Sequence, residues 1–353
     1  MEKAKFTTLD GLRGFAALAV MSMHYSDQPI MLGGTSFFPN GDLAVDMFFA
    51  LSGFVIAYAY DRRFAAGMTA SRFMLGRAIR LYPLYLIGTL LPAATVLFLR
   101  WRGYYAHPGP LADTLTEIGL SVLFVPQVFI SAYYPLNSPA WSLLFEIIAN
   151  WVYRVLFRWL TRPALLVIIA ISFIGLWRFG LVEPEVGVNS ILPDLARVGF
   201  SFFAGVLIFR FWNTTALRPR VSPWLIILGL MALLRFRAGT ASFLIAPVLV
   251  YLGACTEPSG WTRRIFAALG DMSYAVYMLH YPVLMLAGII LPKALPSVAD
   301  FAPWTGFGVM AAVMGLALLL DRYYDRPVRG WLSGLAKPRQ RLNPAVAFDS
   351  SGA

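Results

Sequence analysis

Apolar stretches of roughly 18 residues or more alternate along the chain with short polar stretches that hold most of the arginines. Read as helices, the stretches fall at roughly 10–28, 41–60, 80–99, 139–158, 163–181, 190–211, 222–236, 239–255, 266–291 and 303–322. A membrane span must satisfy every backbone amide internally, so it is either a helix or part of a closed barrel. Long unbroken runs predict helices, because a barrel would show short alternating strands. The pattern therefore predicts an all-α, polytopic membrane bundle of about ten transmembrane helices. The shorter runs suit tilted or irregular packing.

The apolar segment 113–131 decides the topology. If it crossed, the loop holding Arg154, Arg158 and Arg162 would lie outside the cell. A re-entrant or surface helix instead puts those arginines inside, with Arg62, Arg63, Arg72, Arg77, Arg80, Arg210, Arg218, Arg220, Arg263, Arg264 and the basic tail from Arg322 to Arg341. Asp113, Glu117, Glu183, Glu185 and Asp300 then lie outside. The preference of lysine and arginine for cytoplasmic loops favours this second arrangement, with both termini cytoplasmic. Pro126, Pro135 and Pro139 also suit a turn that does not span.

Composition narrows the class further. Of 353 residues, 59% are hydrophobic and 13% charged, too few polar side chains to cover a water-facing surface. Mean hydropathy is +0.67. The formal charge of +11 is scattered between apolar runs rather than gathered in one patch, so nucleic acid is not an expected partner and membrane lipid is. One cysteine, Cys255, and three histidines give no basis for a disulfide or a metal site. Met1 to Leu9 is polar and no cleavage site follows the first apolar run, so no removable leader is expected. Residues 1–336 read as one transmembrane domain without internal repeats, and 337–353 as a disordered cytoplasmic tail.

Ionisable groups inside spans are costly and mark cavities or partners. Arg13 and His24 are eleven residues apart in the first span, about 16 Å along a helix and close to one face. Arg13 is either a snorkelling anchor or a cavity cation; His24 either bonds a neighbouring helix or works as a base. Asp42 and Asp46 lie four apart in the outer third of the second span, at the depth of His24. Asp42 also suits a helix cap. Gly53 and Ser52 read as small packing residues. Asn137 or Ser138 can cap the fourth span, with Pro139 in its first turn and Glu146 placed in its outer third. Trp141 fits an interfacial belt. Arg77 and Arg80, at i and i+3, share a face at the inner mouth, either from topology bias alone or to hold phosphate. Arg197 with Asp194 reads as an internal ion pair, and His280 as a partner for a carbonyl freed by Pro282.

At these residues the chain resembles the acyltransferase-3 family of bacterial membrane O-acyltransferases. The matching stretches are LDGLRGFAALAVMSMHY, DLAVDMFFALSGFVIAY, RAIRLYPLYL, SPAWSLLFEI, SYAVYMLHYPV and DRYYDRPVR, in the family's order from residue 9 to about 329. The resemblance implies a ten-helix bundle that takes an acyl group, usually acetyl, from cytoplasmic acyl-CoA. It passes the group to a hydroxyl, usually on an envelope or exported glycan or glycolipid, in the bacterial plasma membrane. Arg13 and His24 match the family's first-helix Arg/His pair, Arg77 and Arg80 its donor-associated Arg-x-x-Arg, and Trp141 with Glu146 its Trp-Ser-Leu…Glu motif. Ile147 stands where many members have a second acid, and Asp325 precedes Pro327 by two where others have Glu directly before Pro. With no esterase-like domain in the sequence, direct transfer is expected.

On this basis Arg13, Arg77 and Arg80 are expected to bind acyl-CoA. His24 is expected to act as general base, oriented by Asp46 or Glu146, and Asp42, Asn137 and Trp141 to contact the acceptor. An acyl-histidine relay is the variant mechanism. One continuous tunnel should join the arginines to His24. A lipid or glycan transporter, which would show inverted repeats, and an O-acyltransferase for a small secreted molecule are the alternatives.

Overall fold

A computed structural model describes residues 5–104, 109–127, 133–179, 191–236 and 239–336. Glu183, Glu185, Arg341, residues 128–131 and the proposed tail 337–353 lie outside the described residues. Thirteen α-helices follow in order: α1 (Thr7–Ser26), α2 (Pro29–Leu32), α3 (Leu43–Ala65), α4 (Ala70–Trp101), α5 (Leu111–Val122), α6 (Trp141–Leu156), α7 (Arg162–Phe179), α8 (Ile191–Thr214), α9 (Pro223–Arg235), α10 (Ser242–Cys255), α11 (Gly260–Ala294), α12 (Trp304–Leu320) and α13 (Arg326–Leu335). No strand occurs among the described residues. Each of the ten predicted spans coincides with one of these helices.

Six helical stretches are long and apolar enough to cross a bilayer: α3, α4, α7, α8, α11, and α12 running on through a π-helical turn (Asp321–Asp325) into α13. At about 1.5 Å per residue, the 13 residues of α9 and 14 of α10 are short of a full crossing. Two helices start earlier than hydropathy predicts. α4 begins at Ala70, where Thr69 Oγ1 accepts the Arg72 amide at 3.3 Å, so Arg72, Arg77 and Arg80 ride on the helix itself. Polar side chains at a helix end do not break it, so a hydropathy window misses these turns.

Basic loops gather at one end. There Arg210 pairs with Asp61 at 3.8 Å, Arg154 Nε donates to Met68 O at 2.6 Å, and Arg162 donates to Thr214 Oγ1 at 2.7 Å. Exposed aromatics mark both ends of the lipid-facing surface. Trp101, Trp177 and Trp304 lie at one end, and Trp159, Trp261 and Trp331 at the other.

The helices that frame the interior pack closely. α3 and α8 run in the same direction and touch backbone to backbone: a Cβ on Gly53 would sit 2.0 Å from Phe202 O, and one on Gly205 2.0 Å from Ala50 O. Gly53 is thus the packing residue the sequence predicts.

The segment near 113–131 does not cross. α5 lies antiparallel to α4: Arg100 Nη1 donates to Thr114 Oγ1 at 3.2 Å, Tyr85 donates to Ser121 O, and Tyr82 to Val122 O at 2.8 Å. The chain turns at Phe124, in left-handed geometry (φ 59°). It returns alongside itself, with Gln127 N on Tyr133 O at 2.9 Å and Tyr134 Oη on Phe124 O at 3.2 Å. It then reaches a short 3-10 turn (Ser138–Ala140) and α6.

α6 starts inside the bundle, and Asn137 shows how. Pro92 and Pro282 lack the N–H that would bond the carbonyls four residues earlier, those of Gly88 and Met278. The Asn137 amide, 1% exposed, donates to both, at 3.3 and 3.1 Å. One side chain therefore joins the proline bends of α4 and α11 to the start of α6.

Candidate active site: an arginine-floored cavity and a histidine pair

A cavity of about 430 Å³ lies between α1, α3, α4, α6 and α11, with the α12–α13 junction at its basic end. Arg13, Arg77, Arg80, Arg326 and Arg329 line that end; Phe48, Leu84, Leu143, Tyr277 and Met278 line the other. The i, i+3 spacing that puts Arg77 and Arg80 on one face of α4 turns both toward this cavity. Arg13, on α1, is held by α11: its Nε donates to Ser273 Oγ at 3.1 Å, and its Nη2 pairs with Asp10 at 2.5 Å. α1 and α11 come this close because Gly14 and Gly270 carry no side chain; a Cβ on Gly270 would meet Asp10 Cβ at 2.5 Å.

Glu146 sits at the arginines' level, not in the outer third at the depth of His24. Its Oε1 accepts from Arg77 Nη2 at 2.5 Å and from Ser52 Oγ at 2.7 Å. The reason is the inward start of α6: two turns beyond Trp141 already reach the basic end. Glu146 thus orients Arg77, and Ser52 is a cavity residue rather than a spacer. Four of the five arginines have carboxylate partners. Arg326 pairs with Asp321 (2.7 Å) and Asp271 (3.1 Å), and Arg329 with Asp325 (2.9 Å) and Asp321 (3.7 Å). Arg80 is the one cavity arginine without a carboxylate partner among the described residues.

His24 is not among the residues lining the cavity. It is reached from the cavity through Tyr277 and His280. The Tyr277 ring packs against Phe48 (5.3 Å between centroids) and against His280 (5.7 Å). The Tyr277 hydroxyl lies 2.7 Å from Ser142 Oγ and donates to Pro139 O at 3.2 Å. His280 Nε2 then faces His24 Nδ1 at 3.3 Å. The expected continuous tunnel is closed here by one layer of side chains, Tyr277, Met278 and His280.

Three further expectations change. Asp46, expected to orient His24, is 1% exposed and bonded elsewhere: it receives Arg197 Nη2 at 2.7 Å and Ser201 Oγ at 3.3 Å. Arg197 had been paired by spacing with Asp194; side-chain reach across the α3–α8 contact brings it to Asp46 instead. Trp141 is no belt residue. It packs on Phe49 and Phe145 and stacks over the Arg197 guanidinium at 5.4 Å. Asp42 contributes its backbone oxygen to the same arginine, at 3.0 Å, and makes no side-chain cap. Asn137, expected at the acceptor, is committed to the Gly88 and Met278 carbonyls. His280 was expected on a proline-freed carbonyl. That carbonyl goes to Asn137, and His280 Nδ1 sits 3.1 Å from Val276 O.

Comparison with known proteins identifies the framework that carries these groups. A family profile described as an acyltransferase domain matches residues 6–322. The chain belongs to the acyltransferase-3 family. Curated relatives of this acyltransferase-3 chain include protein 2 of the picA locus of Rhizobium radiobacter, 36% identical over 49% of the chain and 93% of that protein. The exopolysaccharide production protein ExoZ of Rhizobium meliloti is 28% identical over 85% of the chain and 96% of that protein. The peptidoglycan O-acetyltransferase OatA of Listeria monocytogenes is 24% identical over 91% of the chain, which spans 55% of that protein's length. No solved structure matches.

The acyltransferase-3 chain also places residues at the cavity that span-by-span reading missed. Tyr274, Tyr277, Asp271 and Arg326 line it. They fall in SYAVYMLHYPV and DRYYDRPVR or just beside them, stretches whose order matched the family but whose side chains showed no shared face in isolation. The π-helical turn at Asp321–Asp325 supplies the missing geometry: it shifts the helical register so that Asp321, Asp325 and Arg329 converge.

Proposed function

We propose that this multi-pass membrane acyltransferase moves an acyl group, acetyl by preference, from cytoplasmic acyl-CoA to a hydroxyl of an envelope or exported glycan. The observation that carries the reading is the polarity of the single cavity: arginines at one end, apolar and hydroxyl side chains at the other, ending one side-chain layer from a histidine pair. The printed functions of the Listeria and Rhizobium meliloti relatives favour a glycan acceptor. The clustering of basic loops at the arginine end favours placing that end, and both termini, in the cytoplasm of a bacterial plasma membrane.

In this reading the CoA phosphates meet Arg80 first, because its charge is not already committed, and then Arg77 and Arg13 as their carboxylates yield. The pantetheine arm lies along the apolar wall and brings the thioester up to Tyr277. Transfer requires the Tyr277 ring to turn aside, its hydroxyl leaving Ser142 and Pro139. His24 Nε2 takes the proton of the acceptor hydroxyl while the oxygen attacks the thioester carbonyl. The C–S bond breaks, the sulfur leaves as thiolate and takes the proton back from the His24 imidazolium. The products are an ester and free CoA. Direct transfer needs one base on the acceptor side and no covalent enzyme intermediate, and His24 alone fills that place.

Two measurements test this. CoA should raise the thermal midpoint of the detergent-purified protein, since a ligand at about 100 times its Kd stabilises by about 2.7 kcal/mol. His24→Ala should keep that stabilisation and abolish the ester found in the envelope glycans of expressing cells; persistence of the ester would remove His24 from the chemistry.

A further inference from the structure

His280 is fully buried, and the proposed chemistry leaves it without a task. Its two ring nitrogens have separate partners. Nδ1 lies 3.1 Å from the Val276 carbonyl oxygen, and Nε2 lies 3.3 Å from His24 Nδ1. His24 Nδ1 lies in turn 3.1 Å from the Val20 carbonyl oxygen. A carbonyl oxygen can only accept a hydrogen bond, so in each ring Nδ1 is the nitrogen that carries the proton. A neutral His280 with its proton on Nδ1 has a bare lone pair on Nε2. That lone pair points at the Nδ1–H of His24. The opposite assignment would set two N–H groups against each other or leave both facing nitrogens bare.

We infer that His280 is a positioning residue for His24: its unprotonated Nε2 accepts from His24 Nδ1–H, which fixes the His24 tautomer and leaves His24 Nε2 free as the base. The inference rests on the reading of His24 as the base in acyl transfer. Val20 cannot do this alone, because its carbonyl already takes the His24 backbone amide in the helical ladder. His280 also acts during the reaction. When His24 takes up the acceptor's proton, the bond from its Nδ1–H to His280 becomes charge-assisted and strengthens. That gain exists only while His24 is charged, so it lowers the barrier without tightening donor binding. The place usually held by a carboxylate beside a catalytic imidazole is here held by a neutral ring. The carboxylates nominated from the sequence, Asp46 and Glu146, are spent on Arg197 and Arg77.

The arrangement depends on how α1 and α11 pack. They run in the same direction, and Tyr25 Oη donates to the His280 carbonyl at 3.2 Å, which pins the two helices at this level. Tyr281 packs edge-on against His24 at 5.6 Å and closes the other side of the ring.

The test uses the full chain. Only three histidines occur, His24, His107 and His280, so 15N-histidine labelling yields a spectrum that His24→Gln and His280→Gln variants assign. Wild-type protein should show His24 protonated at Nδ1 and bare at Nε2, and the same for His280. A wild-type His24 protonated at Nε2 would overturn the inference, whatever the activity. In His280→Phe, the His24 signals should move toward the Nε2–H form. Ester formation from acetyl-CoA should fall through kcat, by roughly 10- to 100-fold for the loss of one charge-assisted bond, with the CoA-induced thermal shift and the KM for acetyl-CoA unchanged. His280→Gln, whose amide oxygen can accept where Nε2 did, should restore the His24 tautomer and most of the rate. Full activity in His280→Phe would equally overturn it. Should wild-type protein form no ester at all, the acyl-transfer reading falls, while the wild-type spectrum still decides the pairing.

Discussion

Arg77 and Arg80 are three residues apart on one helix and line one cavity, yet their energetics differ. Arg77 is buried against Glu146; Arg80 is exposed and has no carboxylate partner among the described residues. Removing Arg77 strands a buried carboxylate, whereas removing Arg80 strands nothing. Arg77→Ala should therefore lower the thermal midpoint of the protein even without CoA. Arg80→Ala should leave the midpoint unchanged and weaken CoA binding by about 10- to 100-fold, the worth of one charge-assisted phosphate contact. Thermal-shift titration with CoA separates the two effects. Equal destabilisation by both variants would mean that Arg80 is a structural residue. The sequence shows that these arginines share a face, because that follows from helical spacing alone. It does not show which one is neutralised, because Glu146 is 69 residues from Arg77 and its depth depends on where α6 begins.

Among the elements, the α5–α6 segment is the one that hydropathy describes least well. Its apolar content is enough to span, and charge bias already argued that 113–131 does not. What no local pattern could reveal is the depth at which α6 starts, since that is fixed by Asn137 reaching two other helices. The misplaced expectations share this origin: Glu146 set too far out, Trp141 assigned to a belt, Asn137 assigned to the acceptor. Asn137→Ala should leave two buried carbonyls unsatisfied, costing about 1–3 kcal/mol for each group. Pro282→Ala restores the amide that Met278 O lacks. The double variant should accordingly be less destabilised than the sum of the singles, by about 1 kcal/mol, read from thermal midpoints in detergent. Simple additivity would show that the amide does not serve the Met278 carbonyl. The ten spans themselves were legible because apolar length is a local property. The α3–α8 contact was half legible: Gly53 signalled close packing, but nothing in the sequence said that Arg197 would cross to Asp46.

For the whole molecule, the distribution of basic loops and the path of α5 lead to one orientation. With Cys255 replaced by serine, a cysteine at Ser71, on an exposed turn at the basic end, should react with a membrane-impermeant thiol reagent only in inside-out vesicles. A cysteine at Thr35, in the exposed loop after α2, should react only in intact cells. The reverse pattern would turn the cavity mouth away from the cytoplasmic donor and end the proposed function. The same frame explains why function was easier to anticipate than mechanism. Family motifs recorded which residues belong together, whereas the layer of Tyr277, Met278 and His280 between the cavity and His24 arises from how α1 and α11 lie side by side.

The double grip of Asn137 bears on how this protein is made. Gly88 leaves the ribosome well before Asn137, but Met278 follows it by 141 residues. While the chain is being synthesised, the start of α6 can secure only one of its two anchors. The half-crossing it heads must stay provisional in the bilayer until α11 arrives, so the catalytic chamber is sealed as one of the last acts of assembly. Truncation upstream of residue 278 would leave an inserted bundle with no finished interior.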